Sequence, residues 1–387
     1  MGTGGEDAAQ LTRHARQRGW PLVVRRATAD DRESVLAFAT GTWDGWDYIP
    51  KAWPVWLGAA DGAFLVGEVG EPVSGAGEEP VDAEGSPLTV GQPVAITRVA
   101  MVSPNEAWLE GIRVDPRVRG LGVAADLQVA ELQWVAAQDA DVLRYATGGE
   151  NLASHRLGAR DGINLHARFR GWWWSATGSA EEDEDEPSAF DPGVLEIATA
   201  RRQEALRRLG AAGMIVTAGH VENLWRRLSA DATFIAGHRL FEARSWAMAE
   251  LTVDLFRRHA DRGEVIVSRD VTQTNGWAVA ILVAEQLASE DSSLRLALLT
   301  GEGAAAAELA DHIRRVTEQP IRFRVPVDAP MIHSHEDAFR AAGFVTRDWE
   351  MHILARSMGG TQPIAVVDPA RLVLLEPPAP DLLPPIW

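Results

Sequence analysis

The stretch from Asn105 to Ala125 constrains the fold of this chain more than any other part of the sequence. Its first part, Glu106 to Val114, alternates as a half-buried strand does, and the Asp115-Pro116 pair marks a tight turn. Gly120 and Gly122 then stand where an amphipathic helix begins. The first N–H groups of a helix have no partner within it and lie at its positive dipole end. The stretch therefore predicts a strand, a glycine loop and a helix that together form an anion site suited to phosphate.

Composition narrows the class of protein. A length of 387 residues predicts two or three domains, and a hydrophobic fraction of 46% is enough to build their cores. The net charge of −18 argues against nucleic acid and anionic membranes as partners, and no apolar run approaches the roughly 20 residues of a membrane span. Cysteine is absent, which excludes disulfides, thiolate metal ligands and cysteine nucleophiles. Since the N-terminus also lacks the apolar segment of a secretory signal, we expect a cytoplasmic protein.

The order of the predicted elements indicates an α/β fold that occurs twice. The order strand, strand, helix, strand, helix, strand of residues 63–174 recurs after residue 264. We therefore predict two tandem domains, each a mixed, largely antiparallel sheet flanked by helices, with the second copy degenerate. The predicted segments are an N-terminal arm at 1–20, a first domain at 21–177, an acidic linker at 178–193, a second domain at 194–358 and a Pro-rich tail at 359–387.

Residues 41–59 are crowded with aromatic side chains and contain two prolines, so we interpret them as a loop. The loop could pack on the core, or it could cover a small ligand, because rigid aromatic rings beside Asp44, Asp47 and Tyr48 suit a small-molecule pocket. In the second half, residues 238–260 are predicted to form one long helix.

Two segments of the first half together resemble the GNAT superfamily of acyl-CoA-dependent N-acetyltransferases. The superfamily motif Arg/Gln-x-x-Gly-x-Gly/Ala is matched by RVRGLGVA, and the later motif Asn-x-x-Ala/Ser-x-x-Leu…Gly-Phe follows in the right order, with a helix and a strand between. The resemblance covers roughly residues 21–175. The matching residues are Arg117, Gly120 and Gly122 in the first motif, and Asn151, Ser154, Leu157, Gly162 and Ile163 in the second.

The resemblance implies that acetyl-CoA is the co-substrate and that no metal takes part. Backbone of the strand end would pair with the pantetheine arm, amides of the glycine loop would hold the pyrophosphate, and the later motif would contact the arm further along. Arg117 and Arg119 could add contacts to phosphate, or they could form a solvated arginine cluster. The implied cofactor-binding residues are Ile112, Arg113, Val114, Arg117, Arg119, Gly120, Leu121, Gly122, Val123, Ala124, Asn151 and Ser154.

An amine must be neutral to attack a thioester, so the reaction needs a base. Strand alternation predicts that Glu106, Trp108, Glu110 and Ile112 share a face with Val114. Either glutamate could take the proton directly or through water, and we favour Glu110, which is closer to the expected thioester. The alternative is that this carboxylate only forms an ion pair with Arg98 or Arg113.

The general acid is left open by the sequence. Gly158 stands seven residues after Asn151, where many superfamily members carry a tyrosine that acts as the acid. Tyr48, Tyr145 or water could protonate the departing thiolate instead, or the thiolate could leave without help. The missing tyrosine also motivates an alternative function, a CoA- or amino-acid-binding pseudoenzyme that serves as a sensor. Acetylation of a protein N-terminus is a third reading, which the predicted aromatic lid disfavours.

The segment DGWDYIPKAWPVWL is similar to the D-x-x-D-Y-L/I-P…W-L pattern of the histidine N-acetyltransferase-like branch. This resemblance implies a small-molecule acceptor, an α-amino acid such as histidine. The acceptor carboxylate would need a cation, for which Arg98 and Arg113 are candidates, and Asp47 and Tyr48 complete the predicted substrate site. A homodimer is compatible with this reading.

The second half lacks the glycine motif. Its segment TGEGAAAAE places Glu302 and Glu308 where pyrophosphate would lie, so like charges disfavour CoA there. His333, His335 and Glu336 lack a recognisable set of metal ligands, and we expect them to cap a helix or to form hydrogen bonds.

Overall fold

The computed structural model describes residues 18–41, 47–72, 79–174, 192–216, 218–268, 276–283, 294–330, 332–359, 364, 368 and 370–375. Strands are β1 (Leu22–Arg26), β2 (Gly62–Val69), β3 (Pro93–Ser103), β4 (Glu106–Val114), β5 (Val142–Gly148), β6 (Asn164–Trp174), β7 (Leu240–Arg244), β8 (Ala247–Glu250), β9 (Val265–Val267), β10 (Ala278–Leu282), β11 (Leu294–Gly301), β12 (Ile321–Pro326), β13 (Phe344–Val345), β14 (Met351–Ser357) and β15 (Leu372–Leu374). Helices are α1 (Arg32–Ala39), α2 (Ile49–Gly58), α3 (Val123–Ala136), α4 (Leu152–Arg160), α5 (Pro192–Ala211), α6 (Val221–Leu228), α7 (Ala232–Ala236), α8 (Val253–Asp261), α9 (Gly303–Thr317) and α10 (Ile332–Ala341).

The chain divides into two compact units, and each contains a mixed sheet flanked by helices. The described parts of the first unit fall within Met1–Tyr145, Leu152–Asn164 and Ala355–Ile386, and those of the second fall within Ala146–Asn151 and Leu165–Leu354. The predicted α/β class is therefore confirmed. Among the described residues, no helix is both long enough and apolar enough to cross a membrane.

The sheet of the first unit has the strand order β15-β1-β2-β3-β4-β5. Strands β1 to β4 pair antiparallel, whereas β15 pairs parallel with β1 and β5 pairs parallel with β4. Helices α1 and α2 contact one face, where Ile96 of β3 joins their core cluster. Helix α3 lies on the other face, where Thr97 of β3 contacts Glu131 of α3. The glycine loop therefore joins β4 to the helix that covers the second face of the sheet.

The prediction of a loop over residues 41–59 was wrong for its second part, which forms helix α2. Pro50 lies in the first turn, where a missing N–H removes no helical hydrogen bond, and only Pro54 interrupts the interior. The helix buries Ile49, Trp53 and Trp56, which recur at helical spacing and pack on Phe64 and Ile96 of the sheet. This apolar burial outweighs the cost of one interior proline. Asp44 lies outside the described residues.

A β-bulge interrupts β4 and changes which side chains share a face. Ile96 and Arg98 are two residues apart on β3, yet their partners Arg113 and Glu110 are three apart on β4. Gly111, at the bulge, has φ of 74°, which favours glycine. The predicted alternation was therefore wrong beyond Gly111, because the extra residue brings Arg113, and not Ile112, to the face that carries Glu110.

A side chain at Gly111 would also collide with its surroundings. A Cβ atom there would lie 2.4 Å from the ring of Trp56 on α2. The bulge thus depends on glycine for both its backbone conformation and the close approach of α2.

The second unit repeats the pairing pattern of the first. Strands β9, β10 and β11 pair antiparallel, and β11 then pairs parallel with β12 after helix α9. The same pattern relates β2, β3 and β4, followed by α3 and β5. The predicted order of elements after residue 264 is thus present in the described residues.

The predicted long helix over residues 238–260 was wrong. Leu240–Arg244 and Ala247–Glu250 form a hairpin, and only Val253–Asp261 is helical. Trp246 in the turn has φ of 64°, a conformation that a helix does not contain. Each strand buries three consecutive residues, Leu240 to Glu242 and Ala247 to Ala249, and this burial overrides the helical propensity of the segment.

The segments at the ends of the predicted domains are described only in part. The acidic linker lies outside the described residues except for its last two positions, where α5 begins at Pro192. Residues 1–17 of the predicted arm and most of the tail are also outside them. The described tail residues include β15, whose Leu372 pairs with Leu22 of β1. The β6 residues from Leu165 onward belong to the second compact unit, whereas the sequence predicts them to lie in the first domain.

Candidate active site

The loop that joins β4 to α3 is held by its own side chains and by a neighbouring loop. The carboxylate of Asp115 accepts a hydrogen bond from the N–H of Arg117 at 2.9 Å, which closes a short 3-10 turn at Pro116–Val118. The N–H of Ala83 donates to the carbonyl of Arg117, also at 2.9 Å. These contacts fix the loop before the helix begins.

The two glycines of the loop both adopt left-handed backbone conformations. Gly120 has φ of 80° and Gly122, the N-cap of α3, has φ of 79°. Within the described residues, the N–H groups of Gly120, Gly122, Val123 and Ala124 make no hydrogen bond to the protein. A Cβ atom at Gly120 would have no other atom within 4 Å, so the space in front of this loop is open. Unpartnered N–H groups at the positive end of a helix form an anion site.

The two arginines of the loop differ in their contacts. The guanidinium of Arg117 forms an ion pair with Asp115 at 2.6 Å, although half of its side chain is exposed. This contact raises the pKa of Arg117. Arg119 is exposed, and its Nε donates to the carbonyl of Val114 at 3.4 Å. Arg119 can therefore turn to an incoming anion at lower cost than Arg117, since Arg117 would leave a buried carboxylate behind.

Strand β4 separates from β5 at the bulge. The parallel register joins Glu106–Leu109 to Val142–Tyr145 and ends there, while β4 continues to Val114. Beyond Leu109, the β4 edge that faces away from β3 is therefore not paired with β5. An extended ligand can add to such an edge by backbone hydrogen bonds.

A polar cluster lies on the α2 side of the bulge. Arg98 forms ion pairs with both Glu110 and Asp61, and its guanidinium lies 5.8 Å from the ring centroid of Trp56. Only 2% of the Arg98 side chain is exposed, against 17% for Glu110 and 41% for Asp61. The buried guanidinium thus holds two carboxylates that are themselves partly exposed.

Asp47, Tyr48 and Arg113 complete this cluster. Arg113 donates to Asp47 through Nε at 2.6 Å and through Nη2 at 3.1 Å, and its guanidinium lies 5.1 Å from the ring centroid of Tyr48. Burial, together with the negative charges of Glu110 and Asp47, raises the pKa of Tyr48 to about 12 against the opposing effect of Arg113. The phenol therefore keeps its proton at neutral pH and remains a donor.

Glu106 has a different environment from Glu110. Its carboxylate forms an ion pair with Arg144 of β5, and both side chains are nearly inaccessible, at 5% and 6% exposed. A base must reach the proton that it removes, so this pairing weakens the case for Glu106. Of the two predicted bases, Glu110 is the one that shares a cluster with the predicted substrate residues.

In the first unit, the side chain of Tyr145 fills the space that a side chain at Gly158 would need. A Cβ atom on Gly158 would lie 2.3 Å from the hydroxyl oxygen of Tyr145, which donates to the carbonyl of Ser154 at 2.8 Å. Burial raises the pKa of Tyr145 to about 12. The tyrosine of β5 thus fills the position next to α4 that a side chain at residue 158 would take. Asn151 falls in the second unit, where its side-chain amide donates to the hydroxyl of Thr147 at 2.9 Å.

A buried carboxyl that the sequence analysis missed lies beneath the bulge. Glu131 of α3 is 1% exposed and shares a hydrogen bond with the hydroxyl of Thr97, the β3 residue within the register shift. Burial raises the pKa of Glu131 to about 8, and the charge of Asp161 acts in the same direction. Its position among the mostly apolar buried residues of α3 is the sequence signal that could have identified it.

We expect Glu131 to make the stability of the protein depend on pH. Between its ordinary pKa of 4.5 and about 8, the folded form keeps a proton that the unfolded chain releases. The free energy of unfolding should therefore fall as pH rises through this window, by up to about 1.4 kcal/mol per pH unit. Denaturant titrations at pH 5 and pH 8 should show this fall in the wild type and a smaller one in Glu131→Gln. An equal fall in both proteins would contradict the assignment.

The start of α9 in the second unit offers no comparable loop. Strand β11 ends at Gly301 and helix α9 begins at Gly303, so only Glu302 separates them. The Cα of His335 lies 3.1 Å from where a Cβ on Gly303 would be, so a neighbouring helix covers this turn. Glu308 is exposed further along α9. His335 itself is buried, with Nε2 3.1 Å from the carbonyl oxygen of Gly301.

The sequence matches no protein-family model and no curated protein. Solved structures to which this chain shows a distant likeness include a GCN5-related N-acetyltransferase from Sphaerobacter thermophilus, at 14% identity and a TM-score of 0.43, covering 90% of this chain and 98% of the other. Another is a GCN5-related N-acetyltransferase from Kribbella flavida, at 13% identity and a TM-score of 0.37, covering 87% of this chain and 72% of the other. A third is a GNAT-family acetyltransferase from Colwellia psychrerythraea, at 8% identity and a TM-score of 0.36, covering 86% of this chain and 98% of the other. These likenesses are too distant to assign a function.

Proposed function

We propose that this chain is an N-acetyltransferase that moves the acetyl group of acetyl-CoA to the primary amine of a small molecule. One observation carries the proposal: a β4 edge that is not paired with β5, at Ile112–Val114, is followed by unpartnered N–H groups at Gly120, Gly122, Val123 and Ala124. Such a line suits a ligand with a peptide-like arm that ends in a pyrophosphate.

The glycine loop would hold the pyrophosphate. The N–H groups at Gly120, Gly122, Val123 and Ala124 supply donors, and the α3 dipole adds positive potential. Arg119 can add a charge-assisted hydrogen bond. The open space at Gly120 lets phosphate oxygens approach the backbone.

The free edge of β4 would position the reacting groups. Backbone groups of Ile112, Arg113 and Val114 can pair with the amides of the pantetheine arm as an added strand does. This pairing would bring the thioester toward the bulge, beside the cluster that contains Glu110. Most of the rate would then come from orientation and from N–H groups that polarise the thioester carbonyl.

Glu110 would act as the base, directly or through one water, because its carboxylate is accessible beside the bulge. The ion pair with Arg98 holds it in place. Tyr48 keeps its proton at neutral pH and could return one to the thiolate. We retain Tyr145 only as an alternative acid, since its hydroxyl donates to the backbone of α4.

We also propose that the second unit is a degenerate copy of the first. Its strands pair in the same pattern, but a single residue, Glu302, separates β11 from α9, so no glycine loop precedes the helix. Its role would be structural. The cytoplasmic location and the homodimer stay predictions from the sequence.

Release of free CoA thiol from acetyl-CoA, measured against a panel of small amines, tests the proposal. An amine that accelerates release and appears as its N-acetyl product by mass spectrometry would support it. Binding of CoA without acceleration by any amine would contradict it and favour the second candidate, a CoA-binding sensor. The observation behind that candidate is Gly158, which offers no side chain as an acid.

A further inference from the structure

The polar cluster beside the bulge constrains the class of acceptor, an inference that rests on the proposed function. The cluster contains three carboxylates and two guanidiniums, so one negative charge is in excess. Its members are Asp47, Asp61, Glu110, Arg98 and Arg113. Every guanidinium in it already holds a carboxylate of the protein.

The two guanidiniums of the cluster and the carboxylate of Asp47 are covered, whereas Asp61 and Glu110 are partly exposed. The side chains of Arg98 and Arg113 are 2% and 10% exposed, and each lies beside an aromatic ring. Asp61 and Glu110 are 41% and 17% exposed. An incoming molecule therefore meets the carboxylates of Asp61 and Glu110 before it meets either guanidinium.

We propose that the acceptor site selects amines without a neighbouring carboxylate over α-amino acids. An ammonium group neutralises the excess charge and can pair with Asp61 and Glu110 before it loses a proton. An acceptor carboxylate would instead have to displace Asp61 or Glu110 from the buried Arg98, or Asp47 from Arg113. Such displacement leaves a protein carboxylate without its cation and is costly. The α-amino acid acceptor that the sequence resemblance implied is therefore disfavoured.

Matched acceptor pairs test this selectivity. Histamine and histidine, putrescine and ornithine, and phenethylamine and phenylalanine differ only by the carboxylate. We expect kcat/KM with acetyl-CoA to be at least tenfold higher for the amine in the pairs that react. The methyl esters of the amino acids should recover part of the loss, since they lack the negative charge. Equal or faster turnover of the amino acids would overturn the inference.

Two variants locate the effect. Asp61→Asn should lower kcat/KM for the amines about tenfold and reduce their advantage in kcat/KM over the amino acids. Glu33 is an exposed carboxylate on α1, so Glu33→Gln should change neither the kcat/KM for the amines nor that advantage. An unchanged advantage in Asp61→Asn would overturn the role of the cluster.

Binding distinguishes failure of this inference from failure of the proposed function. If no acceptor turns over, the proposed function fails, and calorimetry with CoA present still compares each amine with its amino acid. Tighter binding of the amines would support the charge selectivity alone. Equal binding, tighter binding of the amino acids, or no binding of either would overturn it.

Discussion

Gly120→Glu should lower the affinity for CoA by more than ~100-fold, about 2.7 kcal/mol. The new carboxylate would enter the open space in front of the loop and oppose the pyrophosphate at short range. The positive φ of Gly120 makes any side chain strained, at roughly 1–2 kcal/mol of stability. Calorimetric titration with CoA measures the affinity, and thermal unfolding shows whether the fold remains.

Gly120→Gln is the matched control, because it has the same shape and the same backbone strain without the charge. We expect it to unfold at nearly the same temperature as Gly120→Glu and to bind CoA more tightly than that variant. Equal affinities for the two variants would show that steric bulk, and not charge, matters at this position. An affinity of Gly120→Glu equal to that of the wild type would refute the phosphate-loop assignment.

Glu110→Gln should reduce kcat/KM by roughly 100-fold or more at neutral pH, within the range for loss of a general base. The loss should shrink above pH 9, since a growing fraction of the amine is already neutral and needs no base. The pH profile of kcat/KM for the variant against the wild type measures this. A defect of constant size across pH would assign Glu110 a structural role.

Asp61→Asn is the comparison for that experiment. It removes the other carboxylate that pairs with Arg98, so it perturbs the same guanidinium without removing the proposed base. We expect its smaller defect to stay constant with pH. If its profile followed that of Glu110→Gln, the effect would belong to Arg98 and not to proton transfer.

The loop could be predicted from the sequence because its determinants are local. Asp115 closes the turn on the N–H of Arg117, and Gly120 and Gly122 supply conformations that other residues rarely adopt. Turn and cap residues act over a few positions, so their pattern can be recognised in the sequence without the tertiary structure.

The acceptor side of the site could not be predicted in the same way. The bulge at Gly111 lies against Trp56, which is distant in sequence, and it moves Arg113 to the face of Glu110. Helix α2 forms despite Pro54 because its aromatic side chains are buried. The partners of Arg98 and Glu106 likewise follow from strand register. Tertiary packing decided each of these features against the local pattern.

Hydrogen–deuterium exchange of the wild-type protein, with and without CoA, tests the central claim most directly. The proposed site predicts slower exchange with CoA at residues 112–114 and 119–125, because these backbone groups would bind the arm and the pyrophosphate. It predicts unchanged exchange at 302–308, where α9 begins without a glycine loop. Binding of CoA that leaves exchange at 119–125 unchanged, or that protects 302–308 instead, would contradict the claim.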